Sequence, residues 1–104
     1  MASAEIKRYW SKLTEMGCLI CGRPAEIAHL HGGSITEAGF YRGKGKKPLD
    51  WLVAPLCPEH HRVEHGGYDA SPKRWELQYG NMVAWMLVMR AYTGIDAMER
   101  ARGQ

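Results

Sequence analysis

The chain has 104 residues, with 14 Lys and Arg against 11 Asp and Glu, a formal charge of +3 and a pI of about 8.9. Hydrophobic residues at 45% and charged residues at 24% are ordinary for a globular domain and exclude a chain too polar to bury a core. The mild basic excess permits nucleic acid as a partner without demanding it.

A length of 104 residues predicts a single domain over 1–104, small enough that a bound structural metal would help it. No apolar run approaches the roughly 20 residues of a membrane span. The stretch MASAEIKRYW lacks the apolar region of a secretory signal, so a cytoplasmic protein with no membrane partner is expected. The 3 cysteines cannot all pair in disulfides, which favours reduced, metal-bound thiolates.

Ser3 is placed to cap a helix over residues 4–16, with Ile6, Trp10 and Leu13 on one face and Gly17 as its stop. This helix reads as scaffold. Cys18-Leu-Ile-Cys21-Gly22 follows, a CxxC with glycine behind it, which is the form of a zinc knuckle. Cys57-Pro-Glu-His60 repeats the two-residue gap. Together Cys18, Cys21, Cys57 and His60 make a tetrahedral Cys3His set for structural Zn2+. A dithiol redox reading would leave Cys57 and His60 unexplained.

Residues 25–29, AEIAH, read as a strand, and residues 50–54, DWLVA, as its hairpin partner. Between them, residues 30–48 are too glycine-rich for a core element and carry the basic run Arg42, Lys44, Lys46 and Lys47. This stretch is either a solvated loop or one that meets phosphates, where glycine admits the backbone and Lys/Arg supply charge. Pro58 suits the first position of a helix that, if it continues, puts His61 and His65 at i,i+4 on one face, close enough to share a metal. His60 would look elsewhere, toward Cys57.

Downstream, Ser71-Pro72 predicts a helix to Gln78 or Tyr79, ended by Gly80. Asn81 predicts a second helix over 81–93, with either Val83, Leu87 and Tyr92 or Met86 and Met89 on its buried side. Asp96 starts a last frayed turn, and residues 101–104 read as a loose end.

The order knuckle, strand, loop, strand, knuckle, helix, with GCLICGRP, PLCPEHHR and ASPKRWELQYG, resembles the HNH (ββα-metal) endonuclease superfamily. Within it the chain is most similar to the phage Ref-like recombination-enhancement nucleases. The resemblance covers residues 17–79 and implies a small α+β fold: a ββα-metal core with a knuckle pair, flanked by helices 4–16 and 81–93.

It also implies a metal-dependent endonuclease that hydrolyses DNA with little sequence specificity, with DNA and a recombination or phage protein as partners. His29 matches the general base, and His61 the helix histidine that binds the catalytic divalent ion (Mg2+, Mn2+, Ni2+ or Zn2+). His65 matches a further metal histidine, and Asp69 stands where another ligand lies. Two positions depart from the pattern. The residue before the base, often a ligand, is Ala28, for which His31 is the available replacement. The middle Asn that orients the base has no counterpart, and Asp50 is the nearest polar residue. The rival expectation is a non-catalytic zinc module that binds nucleic acid or a partner protein.

Overall fold

The computed structural model describes residues 3–40, 49–63 and 66–103. Its centre is a two-stranded antiparallel sheet, β1 (Glu26–His29) and β2 (Val53–Leu56), with Glu26 opposite Leu56, Ala28 opposite Ala54 and His29 opposite Val53. Two strands alone are marginal and need packing partners. All of β2 is buried. The outward carbonyl of Pro55 accepts the Leu19 N–H at 3.0 Å, which seats the first knuckle along β2. Proline fits such a position because no ladder N–H is required of it.

Helix α1 (Ala4–Met16) is capped by the Ser3 hydroxyl, which accepts from Ile6 N, and buries Ile6, Tyr9 and Leu13. The buried stripe therefore runs through Tyr9, packed on Trp51 with ring centroids 5.4 Å apart. The expected Trp10 lies at the edge of this face and has a different task. After the second strand come α2 (Pro58–Arg62) and α3 (Pro72–Tyr79), then α4 (Met82–Thr93) and α5 (Ala97–Arg102). The architecture is α+β, as expected.

In α4 the buried side is Met82, Met86, Met89 and Thr93, while Leu87 and Tyr92 are exposed. Methionine can fill the irregular space beside α1 that a branched chain would fill less well. Two expectations fail here. The end of the chain is not frayed up to Arg102, since α5 buries Ala97 and Ala101 under the Asp96 cap. The loop after β1 is not free of core either. Leu30, Ser34 and Ile35 are buried, and a wide helical turn runs over Thr36–Phe40.

Glu76 of α3 explains how a glycine-rich segment is held. Its carboxylate accepts from Ser34 N (2.9 Å), Ser34 Oγ (2.5 Å) and Met82 N (2.6 Å). One side chain thus ties the β1 loop to the start of α4. The basic residues Arg42, Lys44, Lys46 and Lys47 lie outside the described residues.

Candidate metal centres and a histidine–aspartate pair

The first knuckle is shaped by its own backbone. Cys18 N–H donates to Arg23 O and Gly22 N–H to Cys18 O, both at 2.9 Å, with Gly22 at φ 74°, where a side chain is disfavoured. The second half comes from the β2–α2 junction. Cys57 caps α2 and His60 lies one turn inside it.

Ligand atoms of Cys18, Cys21, Cys57 and His60 all lie within 4.8 Å of one another. Cys57 Sγ is 3.2 Å from His60 Nδ1, Cys18 Sγ 3.7 Å from the same nitrogen, and Cys21 Sγ 3.6 Å from Cys57 Sγ. Tetrahedral zinc with bonds of about 2.0–2.3 Å spaces its S and N ligands about 3.5–3.8 Å apart. The cluster can therefore hold a structural zinc, with His60 bound through Nδ1.

The thiols are tuned differently. Hydrogen bonds from the Arg23 backbone and side chain lower the Cys21 thiol to about 6, with Arg23 Nε 3.3 Å from Sγ. Burial pushes the Cys57 thiol up. The exposed Cys21 thiol therefore gives up its proton to a metal more readily than the buried Cys57 thiol.

His29 ends β1 with Nε2 3.1 Å from Asp50 Oδ1. A carboxylate only accepts, so Nε2 is the nitrogen that donates to Asp50. Asp50 is not on the second strand as expected. It sits in the turn before β2, and Trp10 Nε1 donates to its backbone oxygen at 2.9 Å. The Trp10 ring also meets His29 edge-on at 5.9 Å. Helix α1 packs on the core as expected, and through Trp10 it also holds the backbone of the residue whose carboxylate meets His29.

A second constellation surrounds His61. Its Nε2 is 3.1 Å from Asp69 Oδ2, and His31 Nε2 is 3.1 Å from Asp69 Oδ1. Its Nδ1 is 2.5 Å from Glu26 Oε2. Arg62 grips Glu26 with a fork, Nε to Oε2 at 2.6 Å and a terminal nitrogen to Oε1 at 2.9 Å. Arg62, with His61 beside it, lowers the Glu26 carboxyl below its ordinary range.

Asp69 arrives there because the chain after α2 folds back on that helix. Tyr68 N–H donates to His60 O (2.8 Å), Asp69 N–H to His61 O (2.9 Å) and Gly67 N–H to Val63 O (2.7 Å). These bonds satisfy carbonyls that the end of α2 would otherwise leave open. Gly67 is required for the approach, since a Cβ there would sit 2.7–2.8 Å from the backbone of Val63, Arg62 and His61.

The helix on which the expected pairing of His61 with His65 rests stops before reaching residue 65. Helix α2 ends at Arg62, and Val63 is extended at φ −69°, ψ 134°. His65 itself lies outside the described residues. Asp69 does lie beside His61 as expected, and His31 joins it although β1 stops at His29. Ala28 is fully buried and offers only a methyl.

A neutral imidazole has one donor and one acceptor nitrogen, yet both nitrogens here face carboxylates. An imidazolium donating to both carboxylates would satisfy this arrangement, as would a cation between Nε2 and Asp69 with Nδ1–H donating to Glu26. Sequence reasoning missed Glu26 and Trp10. Glu26 shares a face of β1 with Ala28, a signal usable only once the register of the hairpin is known.

Among the described residues no helix is long and apolar enough to cross a membrane. No family model, no curated protein and no solved structure matches the chain.

Proposed function

We propose that this chain is a metal-dependent endonuclease of the HNH type that hydrolyses DNA phosphodiester bonds. The observation that carries the reading is the His29–Asp50 pair at the end of β1. Hydrolysis needs a base for the attacking water, and an imidazole held in one tautomer by a carboxylate is suited to that task at neutral pH. Asp50 takes the orienting position for which the HNH pattern has Asn. Trp10 fixes Asp50 through its backbone.

His61 and Asp69 are the residues that would hold the catalytic divalent ion, and such an ion supplies positive charge against the phosphate and the leaving oxygen. Asp69 reaches His61 through the fold-back at Gly67. The Cys3His cluster stands behind α2 as the structural centre. Arg42, Lys44, Lys46 and Lys47 supply contacts to phosphates, which carry affinity but little sequence preference. The resemblance to Ref-like nucleases extends the proposal to action beside a phage recombination protein.

The test is cleavage of supercoiled plasmid across Mg2+, Mn2+, Ni2+ and Zn2+ with chelated controls. His29→Ala is expected to keep the fold, the zinc and DNA affinity while cleavage falls by about 10²–10⁴-fold. Cleavage at the normal rate by His29→Ala under saturating metal overturns the mechanism. If wild-type protein binds DNA and never cuts it, the chain is a zinc module that binds nucleic acid.

A further inference from the structure

Helix α4 differs from its packing neighbours α1 and α5. On α1 the exposed residues include Lys7, Arg8, Lys12 and Glu15, and on α5 they are Glu99, Arg100 and Arg102. On α4 they are Ala84, Leu87, Val88, Arg90, Ala91 and Tyr92, and only Arg90 is charged. Leu87 is 60% exposed, Tyr92 55% and Val88 45%. A helix that is apolar all round belongs in an interior, yet only one side of α4, Met82, Met86, Met89 and Thr93, is buried. We propose that the outer face of α4 docks a second copy of this chain, packed antiparallel across a two-fold axis.

Three observations select a second copy. The first is the order of side-chain sizes. At 100° per residue, Ala84, Leu87, Val88 and Ala91 form a stripe diametrically opposite the buried methionines. Read from either end, the stripe runs small, large, large, small. A two-fold axis requires such a self-complementary patch. With the axis between Leu87 and Val88, each of these meets its own copy, and Ala84 meets Ala91 of the second copy. The alanines let the helix axes approach to about 8 Å, the close limit of helix packing.

The second is charge. Arg90 lies off the stripe, and Asp96 of its own chain holds it at 3.7 Å. The stripe therefore offers nothing to nucleic acid or an acidic partner, and it places no like charges against each other when two copies meet.

The third is area. The 12 residues of α4 span about 18 Å. Leu77 of α3 is 90% exposed, and Asn81 borders both the depression beside Leu77 and the one lined by Ala84, Trp85 and Val88. The apolar surface thus continues from α4 onto α3. With Tyr92 near its other end, such a face buries on the order of 1,000 Å² over two copies, the least a specific interface needs. The inference is independent of the nuclease reading, because α4 carries none of the residues placed at the His29 and His61 centres.

The experiment is sedimentation equilibrium of zinc-loaded full chain, under reducing agent so that the exposed Cys21 forms no cross-link. A dimer with a dissociation constant of about 1–100 μM is expected, since an interface of this size associates weakly. Leu87→Lys and Leu87→Glu are each expected to weaken it at least about 10-fold, because like charges then meet across the axis. An equimolar mixture of the two is expected to recover association, because opposite charges then face each other. Leu87 is exposed in the single chain, so both variants should fold. Val88→Glu is the second variant, and zinc content and the unfolding midpoint are the controls.

A wild-type chain that stays monomeric at about 1 mM overturns the proposal and leaves α4 to a partner of another kind. Self-association unchanged in all three variants places the dimer on another surface and overturns it as well. Two monomeric Leu87 variants that fail to associate when mixed overturn the two-fold pairing.

Discussion

Replacing Glu76 with alanine should destabilise the protein far more than a typical substitution on a helix surface. The carboxylate accepts from two backbone N–H groups, Ser34 and Met82, and from the Ser34 hydroxyl. Ser34 and Met82 are both buried, so water cannot take over cleanly. A buried donor left without a partner costs about 1–3 kcal/mol, giving about 2–6 kcal/mol for the two amides.

Loss of a negative charge at the first turn of α4 adds about 0.3–1 kcal/mol. A net loss of about 3–5 kcal/mol approaches the lower end of a domain's whole stability, about 5–15 kcal/mol. For about 100 residues each kcal/mol moves the midpoint by roughly 4–8 °C, so a fall of roughly 12–40 °C is expected. Thermal and urea unfolding of zinc-loaded protein measure it, with Glu76→Gln as the milder comparison because it keeps one acceptor oxygen. A loss under about 1 kcal/mol for Glu76→Ala would refute the view that one carboxylate pins the β1 loop to α4.

Cys57→Ser should abolish cooperative unfolding and bound zinc together, since zinc binding contributes about 10–16 kcal/mol in comparable small sites; a sharp transition with less than one zinc per chain would refute this. Arg23→Ala should move acid-induced zinc release to higher pH. Arg23 lowers the Cys21 thiol to about 6, so its thiolate outlasts an ordinary one as pH falls, and protons win earlier without the guanidinium. The shift is partial because the backbone N–H of residue 23 remains, and an unchanged release midpoint by a chromogenic zinc chelator counts against it. Gly67→Ala should cost about 1–3 kcal/mol as a backbone overlap and weaken Mn2+ binding by displacing Asp69. Calorimetry on the folded variant reads the second effect, and unaltered affinity would separate Asp69 from the fold-back.

The parts legible in the sequence are those written in local chemistry. CxxC with glycine behind it, Cys-Pro-x-His, and the caps Ser3, Ser71, Asn81 and Asp96 each act within a few residues, and the structure has them where the spacing puts them. Contacts between distant segments were not legible. Periodicity allows Trp10 or Tyr9 to face inward from α1. Only the position of Trp51 decides for Tyr9 and leaves Trp10 free to hold Asp50.

The pairing of His61 with His65 depended on a helix that continued, and α2 stops after five residues at Arg62. Its last carbonyls are taken by Tyr68 and Asp69 from a chain that turns back. That reversal needs Gly67 against the helix backbone. A sequence window cannot anticipate which carbonyls a later segment will reach.

The short length of α2 is also what couples the two candidate centres. Consecutive residues look opposite ways from this one helix: His60 toward the thiolates and His61 toward Asp69 and Glu26. Their backbone carbonyls, again consecutive, receive Tyr68 and Asp69. A zinc that fixes His60 therefore fixes the rotation of the helix, and with it the direction of His61 and the anchor for Asp69. Loss of zinc should then disturb the second centre even though no ligand is shared. Coupling of this kind is reciprocal, so an ion held by His61 and Asp69 would strengthen zinc binding by the same factor.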